Sequence, residues 1–559
     1  MRRAGLRGGG ALSAACLTLV LGGCATPQGP PIHTGTRVPD THGHLINLDQ
    51  GWSEEQQQWF WFVSQGSRLL PYDWYVALEQ AAGTEPFRSD AHMRQLRYLV
   101  EEPGPGNPDG LPVGFAKATD ARTGRAYVGF TCAACHSNQL DYKGTSIRID
   151  GAPTLADNFR FSDELVAALQ ATLTDDAKFD RFARKVLGQG NGAASAQQLR
   201  QEVREATGLL ATRQSVNKPG HPYGFARLDA FGAILNQVLG ADLGLSQNYR
   251  PADAPVSYPF IWDTPQSDLV QWNGAAPNAN GAMLARDVGE ALGVYASVSV
   301  THNSDPFKGY ESSADIIALG RIEKTLESLW SPQWPAHILP PIDTVKAAQG
   351  QAIYQKECAS CHAVIDRTDP RRRITAVMVS VDKTGTDPTM ATNFVMRAAD
   401  TGRLEGAKVT DLLSPTFGPE AAGVNVLTNV VVGSILGQKS ESVMAGLHEY
   451  IQVKRARTFP PRSYKARPLD GIWATAPYLH NGSVPNLWEL LRKPESRVKQ
   501  FYVGSREFDP VNVGYDTKPF DGGYRFDATL PGDSNAGHAW GTQLSDDQKW
   551  ALIEYMKTL

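Results

Sequence analysis

The sequence predicts a mainly α protein in two halves, each built on a Cys-x-x-Cys-His motif, with long loops, short β-strands and a large insertion in the first half. Three observations lead there. The motif occurs twice, as Cys132-Ala133-Ala134-Cys135-His136 and Cys358-Ala359-Ser360-Cys361-His362. A helical pattern enters the second copy and another closes the chain. The span between the copies far exceeds the roughly one hundred residues that a small domain needs, so the first half carries extra sequence. At 559 residues the chain can bury an ample core. Its 53 Gly and 36 Pro predict a loop-rich fold. A net charge of −4 without a basic tract gives no support for a nucleic-acid partner.

Residues 1–24 read as an export signal. Arg2, Arg3 and Arg7 precede the apolar run Ala11 to Leu21, which is too short for a permanent membrane helix. The run ends in Leu21-Gly22-Gly23-Cys24, which resembles a bacterial lipobox. Cleavage there would leave Cys24 as a lipidated N-terminus on a flexible tether, residues 25–45; the alternative is ordinary signal cleavage with Cys24 incidental. Ala25, in place of the Asp linked to inner-membrane retention, favours an outer-membrane lipoprotein. The predicted location is therefore the periplasm or cell surface of a Gram-negative bacterium, with the membrane reached by the lipid anchor alone.

The first folded half is placed at 46–335. Ser53 with Glu54 and Glu55 reads as a helix start. Trp59 to Phe62 and Leu69 to Trp74 read as core. Residues 101–113, rich in Pro and Gly, form a loop; Ala126 to Phe130 form a strand, and Ile147 to Pro153 another short strand and turn. Helices are expected near 162–172, 175–187, 195–210 and 226–240, the last from the helical spacing of Leu228, Phe231, Leu235 and Val238. Residues 241–285 read as a long irregular segment, too aromatic for disorder and suited to walling a pocket. A Pro-rich joint, Ser331 to Pro341, precedes the second half, 342–559. There Asp343 starts a helix that runs into Cys358, and Ser545-Asp546-Asp547-Gln548 is a capping box for the closing helix.

Cys-x-x-Cys-His is the attachment signature of c-type haem: two thiols add to the vinyl groups, and the adjacent imidazole reaches the iron. Four cysteines in two pairs would also suit a Cys₄ zinc site, but zinc does not need the His after each second Cys. The sequence thus predicts two covalently attached c-type haems, held by Cys132, Cys135 and His136 and by Cys358, Cys361 and His362. A helix entering the motif and a closing helix much later make the second half cytochrome c-like.

With both motifs, Ala476-Pro477-Tyr478-Leu479-His480-Asn481-Gly482-Ser483 and Gly537-His538-Ala539-Trp540-Gly541-Thr542, the chain resembles the di-haem cytochrome c peroxidase superfamily. It is most similar to the oxygenase branch, the rubber oxygenases and fatty-acid dioxygenases. The resemblance implies two cytochrome c-like haem domains. It also implies an oxygenase that adds O₂ to an unsaturated lipid or isoprenoid at the N-terminal haem, while a low-spin C-terminal haem handles electrons. It makes His538, in a Gly-bounded loop, the second axial ligand of the C-terminal haem. Met378, Met390, Met396 and Met444 remain as alternatives. It implies an open distal face at the first haem, for which Phe260 and Trp262 are the candidate wall. The alternative activities are a peroxidase using H₂O₂ with a cytochrome donor, and an anchored electron-transfer cytochrome. Peroxidases of the superfamily carry a calcium ion between their haems; nothing in this sequence points to one.

Overall fold

A computed structural model describes residues 44–559, apart from 105, 189–191, 279–281, 302–307, 411–412 and 443–459. The export signal and Cys24 lie outside the described residues.

The chain around the first Cys-x-x-Cys-His motif is held by two small sheets. Ala126–Phe130 pairs antiparallel with Phe115–Thr119 on one edge and with Leu70–Pro71 on the other. Just past the motif, Ser137–Tyr142 pairs antiparallel with Thr145–Asp150, which also takes the parallel strand Leu45–Asn47. The motif itself is a single tight turn, Cys132–Ala134, capped by the Thr131 side chain accepting from Ala133 N–H. Beside it Tyr98, Phe115, Phe130 and Phe161 pack with ring centres 4.9–6.1 Å apart. The helices Asn158–Thr174, Asp176–Leu187 and Ala193–Val216 form the layer over that cluster.

In the second half the helices Thr344–Glu357 and Asp546–Met556 cross closely. A Cβ on Gly350 would fall 1.9 Å from the Ala551 carbonyl, so glycine is what lets the backbones approach. Tyr354 and Tyr555 meet at 5.2 Å across the crossing. Both predicted starts are present: Asp343 caps the first helix, and Ser545 with Gln548 forms the capping box of the second. Ser53 and Gln56 form another.

The expectation of a mainly α fold of two cytochrome domains is overturned. The protein is 38% helical and 16% strand, with the strands in nine small sheets among the described residues. These strands are mostly two to six residues long, too short for alternation to stand out from loop sequence. The predicted helix at 226–240 shows the same limit. Arg227–Leu228 pairs instead with Val256–Ser257. Asp229 caps Gly232 N–H at 2.8 Å, so the helix begins at Ala230, and it widens into a π-helical turn over Asn236–Asp242. The Asn236 side chain there donates to Asn217 and to the Arg250 carbonyl, both at 2.9 Å. The irregular segment also ends early, in the helix Ala282–Gly293.

One hydrophobic core runs through both halves, gathering Trp61 and Trp262 with Tyr354, Trp473 and Leu552. Two buried ion pairs of 2.6 Å, Asp263–Arg372 and Arg227–Asp533, tie the halves together. No described helix is long and apolar enough to cross a membrane.

Candidate functional site

Around the first motif, Cys132, Cys135 and His136 are each partly accessible, although they lie well beneath the surface. His136 Nδ1 lies 2.8 Å from the Pro259 carbonyl. A carbonyl can only accept, so Nδ1 carries the proton and Nε2 keeps its lone pair for a metal. Burial pushes His136 down to about 4, which keeps the ring neutral. Burial also pushes the Cys135 thiol up to about 12 and Cys132 well above its usual range.

The second motif follows the same design. His362 Nδ1 donates to the Arg467 carbonyl at 2.7 Å, again leaving Nε2 free, and the His362 carbonyl accepts from Tyr354 Oη at 2.8 Å. Burial lowers His362 and raises Cys358 to about 11. Cys358, Cys361 and His362 line a cavity of about 210 Å³, closed by Leu487, Leu491 and the Leu552 and Met556 side chains of the closing helix.

His538, the sequence's candidate second ligand, lines the same cavity. Its backbone takes a left-handed conformation, φ 46°, held by its N–H donating to the Thr384 carbonyl at 2.8 Å. Its carbonyl accepts from the Arg497 guanidinium at 3.0 Å. The His362 and His538 ring centres stand 6.3 Å apart. Two imidazoles on opposite faces of one metal, at about 2.0 Å per metal–nitrogen bond, would hold their ring centres about 6 Å apart. Burial first, then the nearness of His362 and of the Arg497 guanidinium, push His538 down to about 3, and its Nδ1 is buried with no hydrogen-bond partner. A neutral ring with an orphaned nitrogen, facing a second neutral ring across a cavity that also holds two thiols, fits a covalently held haem. Met390 is instead buried in a separate cluster, and Met396 is exposed.

A small pocket lined by Phe260, Trp262, Lys465 and Arg467 adjoins the cavity of the second motif, with which it shares Lys465 and Arg467. Phe260 and Trp262 stack on each other at 4.5 Å and 13°, immediately after Pro259, and the Trp262 indole donates to the Asp470 carbonyl at 3.0 Å. The Arg467 guanidinium lies 3.5 Å from the Phe260 ring centre and 4.7 Å from that of Trp272. His480 stacks on Tyr464 at 4.0 Å and lines the cavity that holds His362. Among the described residues, no three His, Cys, Asp or Glu side chains gather as a metal cluster. The two cysteine pairs therefore do not meet in a Cys₄ site.

Sequence reasoning missed a charged cluster beside the first motif. On the helix Ala282–Gly293, Arg286 pairs with Asp287 at 2.9 Å, and Glu290 accepts from Gln271 at 2.5 Å. The Asp287 and Glu290 charges act on the Cys132 thiol, and burial raises Glu290 to about 7. Arg and Glu at i, i+4 usually mark a solvated helix face, so only the tertiary fold exposes this cluster as interior.

A family profile described as RoxA-like, cytochrome c-like matches residues 463–502, the segment that carries Arg467, Asp470 and His480. A cytochrome c-like domain implies covalently bound haem c. A protein of Sinorhizobium fredii described as uncharacterized protein y4iJ is 33% identical over 571 aligned residues, covering 92% of this chain and 93% of that one. A second protein of that organism, uncharacterized protein y4iM, is 27% identical over 324 residues, 54% of this chain and 63% of its own. Identity at that level along nearly the whole of both chains means that this protein belongs to the family of Sinorhizobium fredii y4iJ, here bearing a RoxA-like, cytochrome c-like haem domain.

Proposed function

We propose that this protein is an exported c-type oxidoreductase with two haems, from the oxygenase branch of the di-haem cytochrome c peroxidase superfamily. It adds O₂ to an unsaturated lipid or isoprenoid at the His136 site and is anchored to the outer membrane through Cys24. The observation that carries this reading is the inequality of the two sites. His362 faces His538 across a cavity at a separation suited to one metal. No ring pairing of that kind is found for His136 among the described residues. A centre with two strong axial ligands suits electron transfer, and one with a single protein ligand suits chemistry.

When bound, haem supplies the oxygen and one-electron chemistry that side chains lack. The protein's own residues do the rest. Pro259 fixes the tautomer of His136, Phe260 and Trp262 set apolar surface next to Pro259, and His362 and His538 would together hold the second haem. The acidic cluster favours a second reading. Asp287 and Glu290 could hold a proton near the first haem, as peroxide cleavage needs. Oxygen uptake and product analysis with oleate and with polyisoprene, without peroxide, separate the two. Oxygen-dependent cleavage or hydroperoxide products are expected. Turnover of peroxide with a reduced cytochrome donor, lost in Glu290→Gln and accompanied by no oxygen uptake, would replace the oxygenase with a peroxidase.

A further inference from the structure

Two cations that line the cavity of the second motif and the small pocket beside it form no ion pair among the described residues. Lys465 and Arg467 project from the strand Ser463–Ala466 and its continuation, and both line the cavity that contains Cys358, Cys361, His362 and His538. Each is partly accessible, and each lines the cavity although it lies deep in the protein. The Lys465 ammonium donates to the Leu269 carbonyl at 3.1 Å, and the Arg467 guanidinium makes a long contact of 3.4 Å to the Phe260 carbonyl. Neither forms an ion pair among the described residues.

Asp263, Asp268 and Asp470 offset part of their charge from a distance, with no ion pair to either among the described residues. Asp263 is taken by Arg372 at 2.6 Å. Asp268 accepts from Ala376 N–H at 2.8 Å. Burial, and then the Asp263 charge beside it, push Asp470 far above the usual carboxylate range. An unpaired buried cation is costly enough that proteins seldom keep one without a use.

We propose that Lys465 and Arg467 form a cationic seat for the two carboxylate groups of the porphyrin anchored at Cys358, Cys361 and His362. The proposal rests on the two-haem reading. It takes two observations together: two cations lining one cavity without an ion pair among the described residues, and a cofactor class whose anionic groups number two. Arg467 has a further duty, because its own carbonyl orients His362. Its guanidinium therefore fixes charge on the same residue whose backbone fixes the ligand.

The test is a redox titration of the low-spin centre in the full-length holoprotein, with Arg467→Gln and Lys465→Met beside the charge-keeping Arg467→Lys and Lys465→Arg. A nearby cation favours the reduced haem, which carries one positive charge fewer. At a fixed applied potential, each neutral variant should lower the reduced-to-oxidised ratio about tenfold, 59 mV for a one-electron couple. The charge-keeping variants should stay within about threefold of the parent. An unchanged ratio in the neutral variants, or an equal shift in the charge-keeping ones, overturns the seat. Resonance Raman of the propionate bending mode in Arg467→Lys decides the matter even where the neutral variants do not mature. The mode should move as the two-pronged contact is lost, and an unmoved mode overturns the proposal. Mass spectrometry of the peptide containing residues 358–362 separates this failure from that of its premise. Absence of haem on that peptide in the parent would remove the second haem itself.

Discussion

His538 shows how much a single residue decides. Its left-handed backbone, its two backbone hydrogen bonds and its orphaned ring nitrogen all serve to aim one imidazole at His362. Replacing His538 with Ala should abolish the six-coordinate low-spin signal of the second haem in electron paramagnetic resonance while leaving its thioether bonds intact. Survival of that signal would assign the ligand elsewhere. His480 makes a prediction about pH. Buried and stacked on Tyr464, it is held down to about 4 from an ordinary 6.5. A depressed folded-state value contributes stability that is present above pH 6.5 and lost as pH falls towards 4. His480→Gln should flatten the acid limb of a plot of unfolding midpoint against pH between those values, and an unaltered slope would rule out a buried neutral His480. The sequence singled out His538 by its Gly-bounded loop before a capped helix and by the resemblance to the oxygenase branch, both of which are local signals. Lys465, Arg467 and Glu290 were not, because their meaning depends on burial by segments hundreds of residues away.

At the scale of elements, the pieces with local chemistry were readable and the paired pieces were not. Ser53, Asp343 and Ser545 cap helices where the sequence said they would, since a cap is decided within four residues. The strand Ala126–Phe130 was found because five residues in a row carry its pattern. Two-residue strands such as Leu269–Val270 and Ala276–Pro277 exist only through their partners, so no window of sequence announces them. The crossing of Thr344–Glu357 with Asp546–Met556 gives a direct check on the second half. Gly350→Ala would drive a methyl into the Ala551 carbonyl. It should cost about 1–3 kcal/mol and lower the thermal midpoint by several degrees. An unchanged midpoint would mean that the helices do not meet there. The motifs can be tested one at a time: Cys132→Ala with Cys135→Ala, and Cys358→Ala with Cys361→Ala, should each halve the haem content found by pyridine haemochrome assay. Full loss from either pair alone would show that one haem cannot mature without the other.

Over the whole molecule, the wall through Pro259, Phe260, Arg467 and His362 matters more than the boundary between the halves. The carbonyl behind His136 and the carbonyl behind His362 belong to segments that touch each other through Arg467. The single core and the buried Asp263–Arg372 and Arg227–Asp533 pairs make that wall rigid. The sequence suggested two separate cytochrome units because the two motifs repeat; it could not show that the insertion between them would fold into shared surface. The central claim is that the sites are unequal, with His362 doubly matched by His538 and His136 unmatched. Carbon monoxide titration of the fully reduced protein measures this directly. The account predicts one carbon monoxide bound per two haems, in the parent protein, rising to two in His538→Ala. Binding of two in the parent, or of none, would contradict it.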